Sequence, residues 1–397
     1  MLYQIAAAAL QQELAALGMN QAAVPILAAK SCLVPYKLVA VRTPAANIIK
    51  QEMLAAGGDC AVPAGCVTCA VERVDVILLG TRAHYKILLA KLKQMPYFGI
   101  AKLAGELEQV LAPRSKITRL ADRRILNYEQ AVIMGIINIT PDSFYAPSRA
   151  DLDVALTRAE QMLAAGAGIL DVGGASTRPG TELVTGEAEQ QRVVPVLREL
   201  RQHFPECVLS VDTYWAATAA AALAAGADII NDVSAMAMDK EMLPLVVKSQ
   251  APVVLMHMRG TPRDMQQQCE YRNVVQEVAA SLQAKVKLLE EQGVGADKII
   301  LDPGIGFAKT PDQNLELLRN LEALTGGSYP VLLGTSRKST IGTVLGGLPP
   351  EERLEGTLAT TARGLEAGVN IFRVHDVQAN VRLARMWEAM HRGRVQL

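Results

Sequence analysis

The feature that most constrains the fold is a series of eight short hydrophobic runs between residues 132 and 376, each of which ends in polar residues. Uninterrupted apolar runs of this length are typical of parallel strands that are buried on both faces. We predict strands at 132–138, 169–173, 208–212, 229–231, 253–257, 299–302, 331–334 and 371–375. Eight such strands separated by helical segments predict a (β/α)8 TIM barrel, for which about 250 residues suffice.

Three helix-to-strand joints share one sequence device, at residues 163–167, 223–227 and 365–369. In each, an Ala- or Leu-containing helix end is followed by a glycine that can adopt the left-handed conformation, and a strand begins within a few residues. The alternative topology, an open doubly wound sheet, needs a phosphate-binding glycine loop after its first strand. Neither Gly-x-Gly-x-x-Gly nor a P-loop lysine occurs in the chain, so the barrel is favoured.

Residues 1–125 predict a separate small α/β domain ahead of a barrel at 126–397. Its pattern indicates helix before residue 30, strands at 36–41 and 74–79, and helices at 45–56, 83–93 and 99–111. The charged stretch 112–127, which contains Pro113, predicts a connector. No catalytic constellation in this domain indicates its role.

The charge balance argues against partners that are recognised by bulk electrostatics. Forty basic and forty acidic residues cancel, which favours a small-molecule role over binding to nucleic acid or an anionic membrane. The apolar runs are shorter than the roughly 18 residues of a membrane span, and we predict a cytoplasmic protein. Cys60, Cys66 and Cys69 lie close together, but a fourth metal ligand is missing nearby; reduced thiols are favoured and a metal or redox role stays open.

The first two strand ends predict contacts with charged ligands. Asn138 could give its amide oxygen to Mg²⁺, which typically takes one or two protein oxygens beside phosphates and water; alternatively, it caps a turn. Asp142 is a candidate for balancing positive charge from a loop that could close. Residues 171–180 form a glycine-rich stretch in which Arg178 would supply charge for an anion.

Four polar residues beyond the middle strands suit a flat heterocycle. Asp212 and Asp302 can each accept two parallel N–H bonds, which matches the edge of an aminopyrimidine, while Asn231 and Lys338 can serve ring acceptors. The alternative is a structural Asp–Lys ion pair inside the barrel mouth.

The last two strand ends predict a phosphate site. Residues 334–339 open a helix after strand seven, and Arg373 and His375 end strand eight, which is where barrels of this kind frequently bind phosphate. Taken alone, His375 could be a core histidine; beside Arg373, anion binding is favoured.

These segments together resemble the dihydropteroate synthase family, over about residues 130 to 390. The matching motifs are Asn-Ile-Thr-Pro-Asp-Ser-Phe from Asn138, Ser-Thr-Arg-Pro-Gly from Ser176, Ser-Val-Asp-Thr from Ser210, Ile-Asn-Asp-Val-Ser from Ile230, Met-His-Met-Arg-Gly from Met256, Asp-Pro-Gly-Ile-Gly-Phe from Asp302, Ser-Arg-Lys-Ser from Ser336 and Arg-Val-His-Asp from Arg373. The resemblance implies a transferase that condenses 6-hydroxymethyl-7,8-dihydropterin diphosphate with 4-aminobenzoate, releasing diphosphate and making 7,8-dihydropteroate for folate synthesis. It also implies Mg²⁺, a homodimer and a target of sulfonamides, which mimic 4-aminobenzoate.

The resemblance also implies roles for single residues. The residues expected to hold the pterin are Asp212, Asn231, Asp302 and Lys338, with Met256 and Gly334 lining its slot. Those expected to hold diphosphate with Mg²⁺ are Asn138, Arg373 and His375. Those expected to shape the 4-aminobenzoate pocket are Thr177, Arg178, Pro179, Phe307 and Ser339. The residues expected to take direct part in the reaction are Asp142, Lys338, Arg373 and His375; Arg373 and His375 would stabilise the departing diphosphate, and Asp142 would balance the developing cation.

The chain departs from the family pattern at several positions. Residues 145–148 are Tyr-Ala-Pro-Ser where a polar, glycine-containing stretch is common, Ala175 replaces an acidic or amide residue, and Ala308 replaces glycine. The domain at 1–125 lies outside the family's minimal barrel.

Two other functions are compatible with a pterin-binding barrel. A pterin-dependent methyltransferase binds pterin but no diphosphate, and therefore has no use for Ser-Arg-Lys-Ser from Ser336 followed by Arg-Val-His-Asp from Arg373. A non-catalytic pterin-binding scaffold has no physical need for Asn138, Arg373 and His375 together. Both alternatives are therefore disfavoured.

Overall fold

The computed structural model describes residues 2–3, 5, 10–28, 30–112, 116–139, 149–175, 181 and 183–392. The chain divides into two compact units, residues 1–114 and 115–397. Within the part of the chain that is described, no helix is long and apolar enough to cross a membrane.

The first unit contains a three-stranded antiparallel sheet with strand order β1-β3-β2. Its elements are α1 (Leu10–Ala16), α2 (Val24–Ala28), β1 (Val34–Arg42), α3 (Thr43–Ala55), β2 (Asp59–Ala61), β3 (Arg73–Gly80), α4 (Arg82–Leu92) and α5 (Ile100–Leu111). Alternate residues of β3 are buried, and Leu78 packs with Met53, Tyr85 and Leu107 of the three long helices. The strands and long helices lie within a few residues of their predicted positions; the three-residue β2 is too short to predict from its sequence.

The second unit contains eight parallel strands with helices between them. Its strands are β6 (Val132–Asn138), β7 (Ile169–Gly173), β8 (Val208–Asp212), β9 (Ile229–Asp232), β10 (Val253–Met256), β11 (Ile299–Asp302), β12 (Leu332–Leu333) and β13 (Ile371–Val374). Its helices are α6 (Arg149–Ala164), α7 (Gly186–His203), α8 (Ala216–Ala224), α9 (Met242–Ser249), α10 (Val274–Glu291), α11 (Pro311–Arg319), α12 (Glu322–Thr325), α13 (Ser339–Val344), α14 (Leu354–Ala367) and α15 (Val377–Arg392).

The strand order and pairing close this sheet into a barrel. Neighbours run in sequence order from β6 to β11, and β13 lies between β12 and β6. A parallel bridge from Leu301 to Val331 joins the two ends of the sheet. Gly166, Gly226 and Gly368 at the repeated joints all have positive φ, which L-residues rarely adopt. The predicted (β/α)8 barrel is confirmed, and the open sheet is wrong.

A hairpin covers the amino-terminal end of the barrel. Strands β4 (Ile117–Arg119) and β5 (Ile125–Asn127) pair antiparallel, and Leu120 between them is buried. Leu120 packs in one cluster with a residue from each of the eight barrel strands: Met134, Ile169, Val208, Ile229, Val254, Ile300, Leu332 and Ile371. The stretch 112–127, predicted to be a connector, is thus partly the floor of the barrel, and the predicted boundary after residue 125 falls inside the hairpin.

Candidate active site

The polar residues singled out from the sequence lie at the carboxyl ends of the barrel strands. Strand register places Asp212 level with Gly173 on one side and Asn231 on the other. Asp302 ends β11 level with Met256, and Arg373 lies in β13 level with Met134. Because all eight strands are parallel, these ends share one rim.

Arg373 bridges two carboxylates at this rim. Its Nε donates to Asp171 Oδ2 at 2.5 Å, and its Nη2 donates to Asp212 Oδ2 at 2.6 Å. The same oxygen of Asp171 also accepts from Asn231 Nδ2 at 3.1 Å. Four residues from four strands are therefore joined in one hydrogen-bonded network.

Burial of this network disfavours its charged groups, and the opposite charges within it favour them. Burial disfavours the guanidinium charge, but Asp171 and Asp212 outweigh that effect and raise the pKa of Arg373. Burial also raises the pKa of Asp212, and Arg373 opposes that rise. A ligand that offers further N–H donors would stabilise the Asp212 carboxylate and lower its pKa again.

Lys338 and Asp302 lie around Gly334, next to Arg373 on the same rim. A Cβ placed on Gly334 would be 3.9 Å from Lys338 Nζ, 4.0 Å from Asp302 Oδ2 and 3.9 Å from Arg373 Cβ. Lys338 donates to the carbonyl oxygen of Ile305 and lies 4.5 Å from the centre of the Phe307 ring. Glycine at position 334 thus leaves open the space where these groups meet.

Asp302 is buried and Lys338 is partly buried, and burial shifts the pKa of each group. Burial lowers the pKa of Lys338 to about 8, and Asp302 opposes this shift. Burial raises the pKa of Asp302, while Lys338 opposes it. Among the salt bridges of the described residues, none joins Asp302 directly to Lys338. The described side chains of Asp302 and Lys338 therefore do not form the structural Asp–Lys ion pair that was the alternative.

His375 is held by the loop after β12. Ser336 Oγ lies 3.0 Å from His375 Nδ1 and accepts the His375 backbone N–H at 3.1 Å. Arg337, in the left-handed region with φ of +58°, forms a two-bond ion pair with Asp376 at 2.9 and 2.5 Å. These contacts fix the loop that carries Lys338 against the end of β13. The helix that follows, α13, has only six residues, and its first residue, Ser339, is exposed.

Asn138 ends β6 and is exposed at the rim. Its Oδ1 and Asp212 Oδ2 each lie 3.6 Å from the position that a Cβ on Gly173 would occupy. Any larger residue at 173 would fill the space between the amide and the carboxylate. The strand end is therefore built to leave this space accessible.

The remaining predicted residues divide into two groups. Met256 and Phe307 are buried in one apolar cluster with Tyr214 and Met265, beside the polar rim. The others lie outside the described residues: Asp142, Thr177, Arg178 and Pro179.

Asp171 has a role that the sequence did not reveal. The sequence pattern makes it the start of a glycine-rich loop, whereas its side chain is fully buried and anchors Arg373 and Asn231. It lies level with Ser210, two residues deeper in the barrel than the Gly173–Asp212 pair. Its position inside a strand, two residues before the strand end, is the signal that could have indicated an inward-facing carboxylate.

The burial of Glu189 should make the free energy of unfolding depend on pH. It is buried in the first turn of α7, where it accepts a bond from Thr213 beside Asp212, and burial raises its pKa from 4.5 to about 7. Because the folded protein holds this proton more tightly, unfolding free energy should fall by up to about 3 kcal/mol as pH rises from 4.5 to 7. We expect Glu189→Gln to remove this fall, as measured by urea unfolding at pH 5.5 and 8.5. The exposed Glu187→Gln in the same turn is the control; equal pH profiles for both variants would contradict the assignment.

Comparison with known proteins identifies the family to which the barrel belongs. Residues 134–375 match the model of the pterin binding enzyme family. A dihydropteroate synthase from Bacillus subtilis is 45% identical over 263 residues, which are 66% of this chain and 89% of that protein. The crystal structure of Burkholderia cenocepacia dihydropteroate synthase complexed with 7,8-dihydropteroate superposes with a TM-score of 0.64 at 39% identity, covering 71% of this chain and 99% of that one.

A further relative extends beyond the barrel. The bifunctional dihydropteroate synthase/dihydropteroate reductase of Helicobacter pylori is 35% identical over 346 residues, 86% of each chain. That alignment is longer than the second unit, residues 115–397, and so includes part of the first. The chain belongs to the pterin binding enzyme family and, within it, to the dihydropteroate synthases, the transferases that form dihydropteroate in folate biosynthesis.

Proposed function

We propose that the rim around Gly334 is the pterin site of a dihydropteroate synthase, in which Asp212, Asn231, Asp302 and Lys338 hold the ring. The observation that carries this proposal is the approach of Lys338, Asp302 and Arg373 to the single space above Gly334. Two carboxylates, an amide and an amine complement the donors and acceptors of an aminopyrimidine. Met256 supplies apolar surface for the flat ring.

The proposed reaction is charge separation followed by capture. The bond from the pterin methylene carbon to oxygen breaks, and its electron pair leaves with diphosphate. The 4-aminobenzoate nitrogen then forms a bond to that carbon and releases its proton to solvent. In this proposal Arg373 and His375 stabilise the departing anion, while Asp212 and Asp302 balance the positive charge that develops on the ring. No side-chain nucleophile is needed.

We also propose that Mg²⁺ binds together with the diphosphate group. No cluster of three His, Cys, Asp or Glu side chains suited to a metal occurs among the residues the structure describes. Asn138 Oδ1, beside the open space at Gly173, fits an ion that takes most of its ligands from phosphate and water. When bound, Mg²⁺ would neutralise charge on the leaving diphosphate.

The 4-aminobenzoate pocket is proposed at the outer rim. Its described members are Phe307, which lies under Lys338, and Ser339, whose exposed position suits contact with a carboxylate. Thr177, Arg178 and Pro179, together with Asp142 as a balance for the cation, complete this proposal from outside the described residues.

Assembly and location belong to the same proposal. We infer a homodimer through barrel helices, supported by the exposed Met386 and Met390, which lie one turn apart on α15. A cytoplasmic location is supported by six free cysteines, which suit a reducing compartment. The role of the first unit stays open in this proposal between a regulatory, an oligomerising and a vestigial module.

Product formation tests the function. With Mg²⁺, the full chain should release diphosphate slowly from the pterin substrate alone, and should form dihydropteroate once 4-aminobenzoate is added. Both products can be followed by chromatography. A sulfonamide should compete with 4-aminobenzoate, as suggested by the dihydropteroate synthase of Yersinia pestis, which has been solved with a sulfonamide drug. Tight pterin binding without any product would favour the scaffold alternative.

A further inference from the structure

Lys309 is a buried amine that the proposed reaction does not use. Its side chain is 2% exposed, which is rare for lysine. Its Nζ lies 2.9 Å from Phe307 O, 3.0 Å from Gly304 O, 3.3 Å from His257 O and 3.0 Å from His257 Nδ1. Burial lowers the pKa of Lys309 to about 7, and Asp302 opposes that shift.

All four partners of this amine act as acceptors. Burial lowers the pKa of His257 to about 3, with Lys309 adding to the effect, so the imidazole is neutral. Its Nδ1 can then accept from Lys309, and its other nitrogen carries the proton. The three remaining partners are backbone carbonyls. Gly304 O also accepts the Phe307 N–H, whereas the carbonyls of His257 and Phe307 would be left buried without a donor from the described residues if the amine were removed.

These acceptors belong to two different loops. His257 follows β10, whereas Gly304 and Phe307 follow β11. The loops approach so closely that a Cβ on Gly304, whose φ is +67°, would lie 2.0 Å from His257 O. Lys309 therefore links the loop after β11 to the loop after β10 by hydrogen bonds.

The same loop also contacts two residues of the proposed pterin site. The Gly304 N–H donates to Asp302 Oδ1 at 2.7 Å. Ile305 O accepts from Lys338, and the Phe307 ring lies under the Lys338 amine. The positions of both Asp302 and Lys338 thus depend on a turn whose carbonyls, at Gly304 and Phe307, accept hydrogen bonds from Lys309.

We propose that Lys309 is a positioning residue for the pterin site, which shapes the loop after β11 so that Asp302 and Lys338 are held ready for the ring. This inference rests on the proposed pterin site. A role in stability alone would lower the melting temperature without selecting between substrates. A positioning role affects the pterin substrate more than 4-aminobenzoate, because the turn contacts two residues of the proposed pterin site, Asp302 and Lys338, and carries only Phe307 of the proposed 4-aminobenzoate pocket.

The test replaces Lys309 with methionine, which keeps the length of the side chain and removes its donors. The matched control is Arg201→Met at the opposite end of the barrel, where Arg201 donates to the carbonyls of Gly226 and Cys207. We expect Lys309→Met to raise both the Kd and the KM for dihydropterin diphosphate at least tenfold, while the KM for the aminobenzoate substrate stays within about twofold. Arg201→Met should leave the constants for both substrates within about twofold, although it also loses stability. Titration calorimetry and steady-state assays with Mg²⁺ measure these values.

The outcomes separate this inference from the proposed site. If Lys338→Ala weakens pterin binding while Lys309→Met behaves like Arg201→Met, the positioning role is overturned and the site stands. If Lys338→Ala has no effect on pterin binding, the proposed site itself fails. If Lys309→Met does not fold, Lys309→Gln, which keeps two N–H donors, takes its place under the same criteria.

Discussion

Replacing Arg373 with methionine is expected to lower kcat by about a thousandfold, with a much smaller change in the KM for the pterin substrate. Removal of one charged donor from a site where negative charge develops typically reduces kcat by about 10² to 10³. Here the departing diphosphate would lose the cation that Asp171 and Asp212 hold in place at 2.5 and 2.6 Å. Single-turnover measurement of diphosphate release isolates the chemical step from product release.

The control for this substitution must account for stability. Loss of Arg373 leaves two neighbouring carboxylates buried, which can cost about 3–5 kcal/mol of folding stability. Arg363→Met is the comparison, since Arg363 pairs with Glu322 on the outer helices. An Arg373 variant that stays folded and retains its kcat would remove this residue from the diphosphate site.

Replacing Lys338 with alanine should produce the other large effect, on affinity. We expect the Kd of dihydropterin diphosphate to rise by about a hundredfold, or about 3 kcal/mol, because a charged hydrogen-bond donor is lost in a site that excludes water. The residual kcat at saturating substrate should fall much less. Isothermal titration of the pterin substrate measures the change.

Lys298 offers a matched control for Lys338. It also donates to a backbone carbonyl, that of Arg119, but at the amino-terminal end of the barrel. Lys298→Ala should leave pterin affinity unchanged. Equal losses in both variants would show that the effect arises from general loosening of the barrel, and Lys338 would no longer be assigned to the pterin site.

The barrel could be predicted because its strands carry an unambiguous physical signature. Strands such as Ile299–Asp302 and Ile229–Asp232 are buried along their whole length, so their sequences are continuously apolar up to the polar end. The hairpin Ile117–Asn127 has no such signature. It has only two three-residue strands and charged neighbours, and Leu120 is the residue whose burial depends on the finished barrel.

The proposed site could be predicted only in part. Residues at strand ends, such as Asp212 and Asp302, share a rim because parallel strands all end on the same side. The link between Asp171 and Arg373 depends on where two side chains meet inside the barrel, across 202 positions of sequence. Lys309 follows a glycine-rich turn, and only the folded chain shows that its amine turns inward to His257.

The hairpin at the amino-terminal end of the barrel has a consequence for substrate entry and product release. With Leu120 sealing one end among aliphatic side chains from every strand, exchange with solvent is confined to the opposite rim. Both substrates therefore bind, and both products leave, through the same open end of the barrel. The substrate that binds deepest in the barrel has to bind first, so the fold imposes an order on substrate binding.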